Sequence, residues 1–389
     1  MTIKNVILYS QTLPPLHVGG IETNAFFLVQ YLLRNLDLHL SVLTKTKRKL
    51  LLRKRINLKY GDVEFSAHLA KKKKLQDAGS VVSLFAGFGY QPNETVIYHN
   101  SLDLYKYYEA LANAGFFQVA RSGGNDLSFL QKNAGEKGKY CAAFAKLDTL
   151  FLNSEYSRCK ASEIGLPSGI LKVVKGGCIA IGRGHENVKP ELGFSQSQPV
   201  ILSCGRLVDF KGLDDALAAL AILKQRGKEP MFVIVGDGPL DQELRTLAEQ
   251  LGVSENCRFV GKVDPSNVFK YYQAADLYLS SSKDIVRDVD GYRYTHTETM
   301  GRSICEAQGC GTPVVVTDAG GSAEMLVRGE TGLVVSQSNP AALADALDKL
   351  IGDDALRIGM GKAALKYAEE SLAWEAVLAE YVGVMRSLA

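Results

Sequence analysis

The sequence predicts an α/β protein made of two doubly wound domains in tandem, and three observations carry that prediction. The chain has 389 residues, more than the roughly 100–200 typical of one domain. Short apolar, β-branched runs alternate with helix-period stretches, the pattern of a parallel sheet covered on both faces. The alternation occurs twice, with a glycine-rich, poorly periodic stretch over residues 176–198 between the two series. Composition agrees: 46% hydrophobic and 22% charged residues exclude a disordered, collagen-like or disulfide-scaffold chain.

In the first series, strands are predicted at Asn5–Ser10, His39–Thr44, Asp62–His68, Thr95–His99, Phe116–Ser122, Thr149–Ser154 and Ile170–Lys175. Each is a short apolar run bounded by polar or turn residues. Helical spacing marks Glu22–Asn35, Asp103–Asn113 and Ser154–Gly165. The second series places strands at VILSCG (200–205), MFVIVG (231–236), CRFVG (257–261), LYLSS (277–281), VVVT (314–317) and TGLVV (331–335), with helices starting at Leu213 and Pro239. Helices Pro340–Leu350, Asp354–Glu369 and Leu372–Ser387 close the chain. The expected domains are 1–184 and 185–370, followed by a final helix over 371–389.

No apolar run approaches the roughly 20 residues that span a bilayer, and MTIKNVILYS enters a strand pattern without the apolar stretch of a secretory signal. Seven scattered cysteines, never in CxxC spacing, read as a reducing cytoplasm without structural zinc.

Open α/β sheets bind ligands beyond the carboxyl ends of their strands, so two such domains are expected to hold a ligand between their strand-end loops. The first of these loops ends in Gly19 and Gly20 at a helix start. Glycines there expose N–H groups at a helix N-terminus, which attracts anions; a flexible turn fits the same residues. In GRLVDFKG (205–212), Arg206 and Lys211 supply a planar fork and a point charge suited to a diphosphate. Two solvated surface cations are the plainer alternative. ETMGRSICE (298–306) sets two carboxylates, Glu298 and Glu306, across a loop-to-helix junction. The first suits sugar hydroxyls, the amides of Gly301, Arg302 and Ser303 suit phosphate oxygens, and the second suits a ribose diol. Two surface glutamates would give the same spacing.

These pieces occur in one chain with GGIE (19–22), NSEYSR (153–158), VGDGPL (235–240) and GCGTPVVVTDAGGSAEML (309–326). In their order and spacing the chain resembles the large group 1 family of retaining, nucleotide-sugar-dependent glycosyltransferases (glycosyltransferase family 4-like). Those proteins have the GT-B fold, two Rossmann-like domains facing a central cleft. The resemblance covers essentially the whole chain. It implies that Arg206 and Lys211 bind the donor diphosphate, Glu306 the ribose and Glu298 the sugar hydroxyls. Gly19, Gly20, Gly301, Arg302 and Ser303 would add donor contacts, and backbone around Gly261 and Val263 would meet the base. His99, in VIYHNS, matches a strand-end histidine near the donor sugar; a satisfied core histidine is the other reading. The Trp374 segment matches a last helix that crosses back to the first domain.

The resemblance further implies a UDP-sugar or GDP-sugar donor, UDP favoured, with no cofactor or metal. The acceptor would be a carbohydrate or lipid-linked molecule handled by the first domain. Polysaccharide, lipopolysaccharide or glycolipid assembly is the implied setting, and a small soluble acceptor the alternative. The family's favoured picture is front-face attack, in which a donor phosphate oxygen takes the acceptor's proton. The expected place of Glu298 at the sugar hydroxyls argues against it as a covalent nucleophile.

Two departures stand out. Where many relatives have His-Gly-x-Asp, this chain has Gly123-Gly124-Asn125-Asp126, which keeps Asp126 without the histidine. Residues 280–297 are longer and more charged than the usual short loop before the first glutamate. Within them Asp288-Val289-Asp290 spells a DxD, but in a stretch expected to be irregular, so no metal role is assigned.

The net charge of +3 conceals a division. Residues 1–180 carry 24 Lys and Arg against 13 acids, and residues 181–389 carry 21 against 29. Between Lys45 and Lys74 lie twelve cations and two acids, with Lys47, Arg48, Lys49, Arg53, Lys54 and Arg55 interleaved with leucines. Such a stretch suits an anionic membrane at about 1 kcal/mol per cation; a solvated face is the ordinary alternative. The protein is accordingly expected to be cytoplasmic and peripheral on the inner face of the plasma membrane. No nucleic-acid motif accompanies the charge. Two competing functions share the architecture, a sugar-nucleotide 2-epimerase and a non-enzymatic nucleotide-sugar binder. A dinucleotide oxidoreductase is disfavoured, because no GxGxxG follows the first strand.

Overall fold

The computed structural model describes every residue except 1, 14–19, 36, 46–54, 61–62, 71–74, 125, 128–129, 131–133, 185–187, 290 and 389. It divides into two compact units, Met1–Val174 with Val377–Ala389, and Lys175–Ala376. The first division falls earlier than the expected 184/185 because the intervening chain bonds into the second unit. Gly177 and Cys178 donate their N–H groups to Leu372 O, and Ile181 and Gly182 donate theirs to Gly309 O.

The first unit is one sheet of β1 (Asn5–Ser10), β2 (His39–Lys45), β3 (Arg55–Tyr60), β4 (Val63–Ala70), β5 (Thr95–His99), β6 (Phe117–Arg121), β7 (Thr149–Leu152) and β8 (Leu171–Val173). Its order is β3-β4-β2-β1-β5-β6-β7-β8, parallel throughout except for β3 against β4. The strand β3 was not expected, since it lies in the basic stretch. Its alternation explains it: Ile56 and Leu58 are buried while Asn57 and Lys59 are exposed, as in a half-buried edge strand. Helices Ala78–Ala86 and Lys137–Phe144 add to those expected, and the first helix starts at Gly20. The final helix Trp374–Arg386 runs into this unit. There Tyr381 stacks on Phe151 with ring centres 4.3 Å apart, and its hydroxyl accepts from Arg121 Nε at 3.2 Å.

The second unit has a six-stranded sheet of β9 (Val200–Cys204), β10 (Met231–Val235), β11 (Cys257–Gly261), β12 (Leu277–Ser280), β15 (Val314–Thr317) and β16 (Gly332–Val335). All are parallel, in the order β11-β10-β9-β12-β15-β16. The inner strands β9, β10, β12 and β15 are apolar at most positions and largely buried because both faces are covered. Val200, Leu202, Val233, Val235, Val314 and Val316 enter one core; Ile201, Phe232, Ile234 and Val315 enter the other, with Leu217, Leu220 and Leu347. The stretch expected to be irregular contains a two-stranded antiparallel hairpin, β13 (Ile285–Val289) and β14 (Tyr292–His296).

Each sheet reverses its direction of growth once, between β1 and β5 in the first unit and between β9 and β12 in the second. Ligand crevices of such sheets open beyond the strand ends at these switch points. Among the described residues, no helix is long and apolar enough to cross a membrane.

Candidate functional site

At the β9/β12 switch point of the second unit, a small cavity is lined by Gly205, Arg206 and Lys211 after β9 and by Ser280 and Ser281 around the end of β12. The chain leaves β9 through Gly205 and makes a single 3-10 turn over Asp209–Lys211. Gly212 closes that turn in the left-handed region (φ 61°), where a Cβ would lie 2.0 Å from Ser281 O. Only glycine fits so close to the β12 backbone. Arg206 is exposed at the rim. Lys211 is mostly buried, and its Nζ lies 2.5 Å from Glu298 Oε2.

Glu298 holds its position through both oxygens. Oε2 meets Lys211, and Oε1 accepts the N–H of Gly301 at 3.1 Å. Burial pushes the Glu298 carboxyl up, but the charge and hydrogen bond of Lys211 and the amides of Met300 and Gly301 outweigh it. The carboxyl is left below its ordinary value, hence ionised at neutral pH. Gly301 caps the helix Arg302–Gly309 with φ 85°. Ser303 in the first turn accepts from the Tyr278 hydroxyl at 2.6 Å. One turn further, Glu306 Oε2 accepts from the Tyr272 hydroxyl at 2.8 Å and Oε1 lies 3.1 Å from Arg302 Nε. The structure thus brings Lys211, Glu298, Gly301, Arg302, Ser303 and Glu306 to one helix N-terminus beside the β9 loop. Gly261 ends β11 in a left-handed conformation, and its carbonyl accepts from Gly236 N. Val263 packs against the neighbouring core.

Sequence reasoning missed Tyr272 and Tyr278. Both are fully buried and act by aiming Glu306 and Ser303; nothing but their place before and within a strand marks them. The hairpin was missed as well. Asp288 sits in β13 opposite Arg293, while Asp290 lies outside the described residues. Among the described residues, no group of three or more His, Cys, Asp or Glu is placed to hold a metal.

The first unit has its own cavity of about 350 Å³ at the β1/β5 switch point, lined among others by Ser10, Glu22, Ser101, Asp103 and Asp126. Asp103 accepts from the Tyr9 hydroxyl at 2.9 Å, from Lys45 Nζ at 2.5 Å and from Ser101 Oγ at 2.5 Å. Burial pushes its carboxyl up, and these partners bring it below the ordinary value. Among the described residues, Asp126 has no such cation in hydrogen-bond contact. It accepts from Ser122 Oγ at 2.5 Å and from the amides of Gly123 and Gly124 at 3.3 and 3.1 Å. Burial wins there, and its carboxyl is raised.

His99 is not at that mouth. The residue is fully buried, its ring 4.8 Å from that of Tyr108 and its Nε2 3.2 Å from Gln118 Oε1. Burial lowers it to about 4, so it is neutral near pH 7. These surroundings are those of the core histidine that was the other reading of His99. Its side chain shares a sheet face with Ile97 and, on the paired strand, with Tyr9, and all three belong to or touch one core.

Several expected residues have no described placement. Gly19, Lys47, Arg48, Lys49, Arg53 and Lys54 lie outside the described residues, Gly20 opens the first helix, and Arg55 opens β3 opposite His68.

Two Rossmann-like units with switch-point crevices define the class: this is the GT-B fold. Anabaena HepE, crystallised with UDP, superimposes with a TM-score of 0.76 at 19% identity over 99% of this chain and 100% of that one. Residues 185–367 match the family model described as glycosyl transferases group 1, and that segment is a group 1 glycosyltransferase domain. A D-inositol 3-phosphate glycosyltransferase of Corynebacterium urealyticum is 35% identical over 53% of this chain and 47% of its own length. A GDP-mannose-dependent monoacylated alpha-(1-6)-phosphatidylinositol monomannoside mannosyltransferase of Corynebacterium glutamicum is 31% identical over 57% of this chain and 55% of its own. The chain spans about half the length of the curated relatives it matches.

Proposed function

We propose that the protein is a retaining glycosyltransferase that moves a sugar from a nucleoside-diphosphate sugar to an acceptor hydroxyl, in glycolipid or polysaccharide assembly. The observation that carries this is the Lys211–Glu298 pair at the N-terminus of helix Arg302–Gly309. An ammonium has three donors, so Lys211 can keep Glu298 while it holds a diphosphate oxygen. Arg206 and the helix-terminal amides add preorganised stabilisation of the leaving diphosphate. Glu298, ionised and fixed, accepts from donor-sugar hydroxyls, and Glu306 from the ribose diol. As the anomeric carbon–oxygen bond to the diphosphate breaks, the acceptor oxygen bonds to the same face. Its proton passes to the departing phosphate oxygen.

The donor is a UDP-sugar or GDP-sugar. The Asp103–Asp126 cavity of the first unit takes the acceptor's hydroxyls, and residues 45–74 contact an anionic membrane that presents it. A thermal-shift series over UDP-, GDP-, ADP- and dTDP-sugars tests the donor. A donor at 100 times its dissociation constant stabilises by about 2.7 kcal/mol, and no shift with any of them would sink the reading. Sedimentation with neutral and anionic vesicles tests the membrane contact, which predicts binding to the anionic ones alone.

A further inference from the structure

The hairpin β13–β14 lies between β12 and Glu298 in sequence, and its inner face is built against the diphosphate-side turn. Register places Ile285 opposite His296 and Arg287 opposite Tyr294, so these four side chains share one face. From that face His296 packs on Phe210, ring centres 4.3 Å apart, and Arg287 pairs with Asp209. The segment between β12 and the hairpin continues the grip. Lys283 N–H donates to Phe210 O at 2.8 Å, and Ser281 Oγ donates to Lys211 O at 3.0 Å. Each residue of Asp209-Phe210-Lys211 is therefore held by residues 281–296, and the same segment ends two residues before Glu298.

We propose that the hairpin is a positioning element of the donor site, in which His296 and Arg287 fix the turn that aims Lys211 at a nucleoside diphosphate. This rests on the donor-site reading above and names what orients its central cation. The ammonium lies 5.7 Å from the centre of the Phe210 ring, so a shift of Phe210 moves the turn that carries Lys211. Arg287 and Asp209 are both substantially solvent-exposed, and such a pair contributes little to stability. Its removal can change the site without unfolding the unit.

The experiment is calorimetric titration of the full chain with UDP and with GDP, each variant's melting temperature being read alongside. His296→Ala is expected to weaken nucleotide binding about 10-fold, less than the ~100-fold attached to a 1 Å misplacement of reacting groups. Arg287→Ala is expected to weaken it about 3-fold, and His296→Phe, which keeps a ring on Phe210, to restore it within about 2-fold. Melting temperatures near wild type with these losses support positioning. If Lys211→Ala loses nucleotide while His296→Ala and Arg287→Ala keep wild-type affinity, the hairpin inference falls and the donor site stands. If the wild type binds neither nucleotide, the donor-site reading falls and this inference with it.

Discussion

The two switch-point crevices carry local charges opposite to those of their halves of the chain. Residues 1–180 hold 24 cations against 13 acids, yet the crevice of the first unit is lined by Glu22, Asp103 and Asp126. The other half is acidic, with 29 acids against 21 cations, yet its crevice presents Arg206 and Lys211. Bulk charge screens over about 8–10 Å, so a bound group feels the residues at the strand ends and not the net count. Composition therefore does not describe the lining of the first unit's crevice, where carboxylates beside serine hydroxyls suit the hydroxyl groups of a ligand.

The carboxylates also differ in how they are held. Glu298 has Lys211 at 2.5 Å and stays ionised; Asp126 has hydroxyl and amide donors in hydrogen-bond contact, and burial raises it. Glu298 is compensated by a cation in direct contact, Asp126 chiefly by hydroxyl and amide donors with the charge of Arg121 acting without a hydrogen bond.

The largest effect that would break this comparison is at Lys211. Lys211→Ala is expected to cut transfer at least about 100-fold, measured as initial rate with saturating donor. It also leaves Glu298 largely buried without its cation, which typically costs about 3–5 kcal/mol, so a lower melting temperature should accompany the loss. Glu306→Ala should cost a similar factor of about 100 through the ribose, without removing a cation's partner from Glu298. Near-normal turnover in either variant contradicts the site.

Asp126→Asn is expected to raise the acceptor's KM about 10-fold, the loss of one charge-assisted hydrogen bond, and to leave nucleotide affinity unchanged. An equal loss of nucleotide affinity would merge the two sites that the comparison separates.

The smallest effect concerns His99. Its folded-state value lies below the ordinary 6.5, at about 4, so its contribution is complete above about pH 6.5. That contribution is lost as pH falls toward 4, on the order of 3 kcal/mol. Urea unfolding across that range should show the loss in the wild type and a flatter profile in His99→Gln. Identical profiles would place the histidine in water.

The second sheet was legible because its inner strands are buried on both faces and read as largely apolar runs, as VVVT does in β15; the edge strand CRFVG coincides with β11 despite its exposed Arg258. The strand β3 was hidden because Arg55 and Lys59 dominate a segment whose apolar positions are only Ile56 and Leu58. The hairpin was legible in principle: Asp290-Gly291 between two alternating runs is a strong hairpin signal. The charges on Arg287, Asp288 and Arg293 obscured it. For His99 a strand-end position was readable, but not which face it takes. Period-2 alternation from Ile97 puts it with the core, and that argument needs the neighbouring strand's register. Asp103 and Glu22 were not singled out beside Asp126 because they are far apart in sequence and line one cavity only through the β1/β5 pairing.

The central claim is that the β9 loop and the helix after Glu298 form a nucleoside-diphosphate site whose key cation is Lys211. Titration calorimetry of wild type and Lys211→Ala with UDP and GDP tests it most directly. Wild type should bind at least one of the two, and Lys211→Ala should lose about 100-fold or more in affinity, a difference of about 2.7 kcal/mol. Equal affinity in the two proteins would contradict the account.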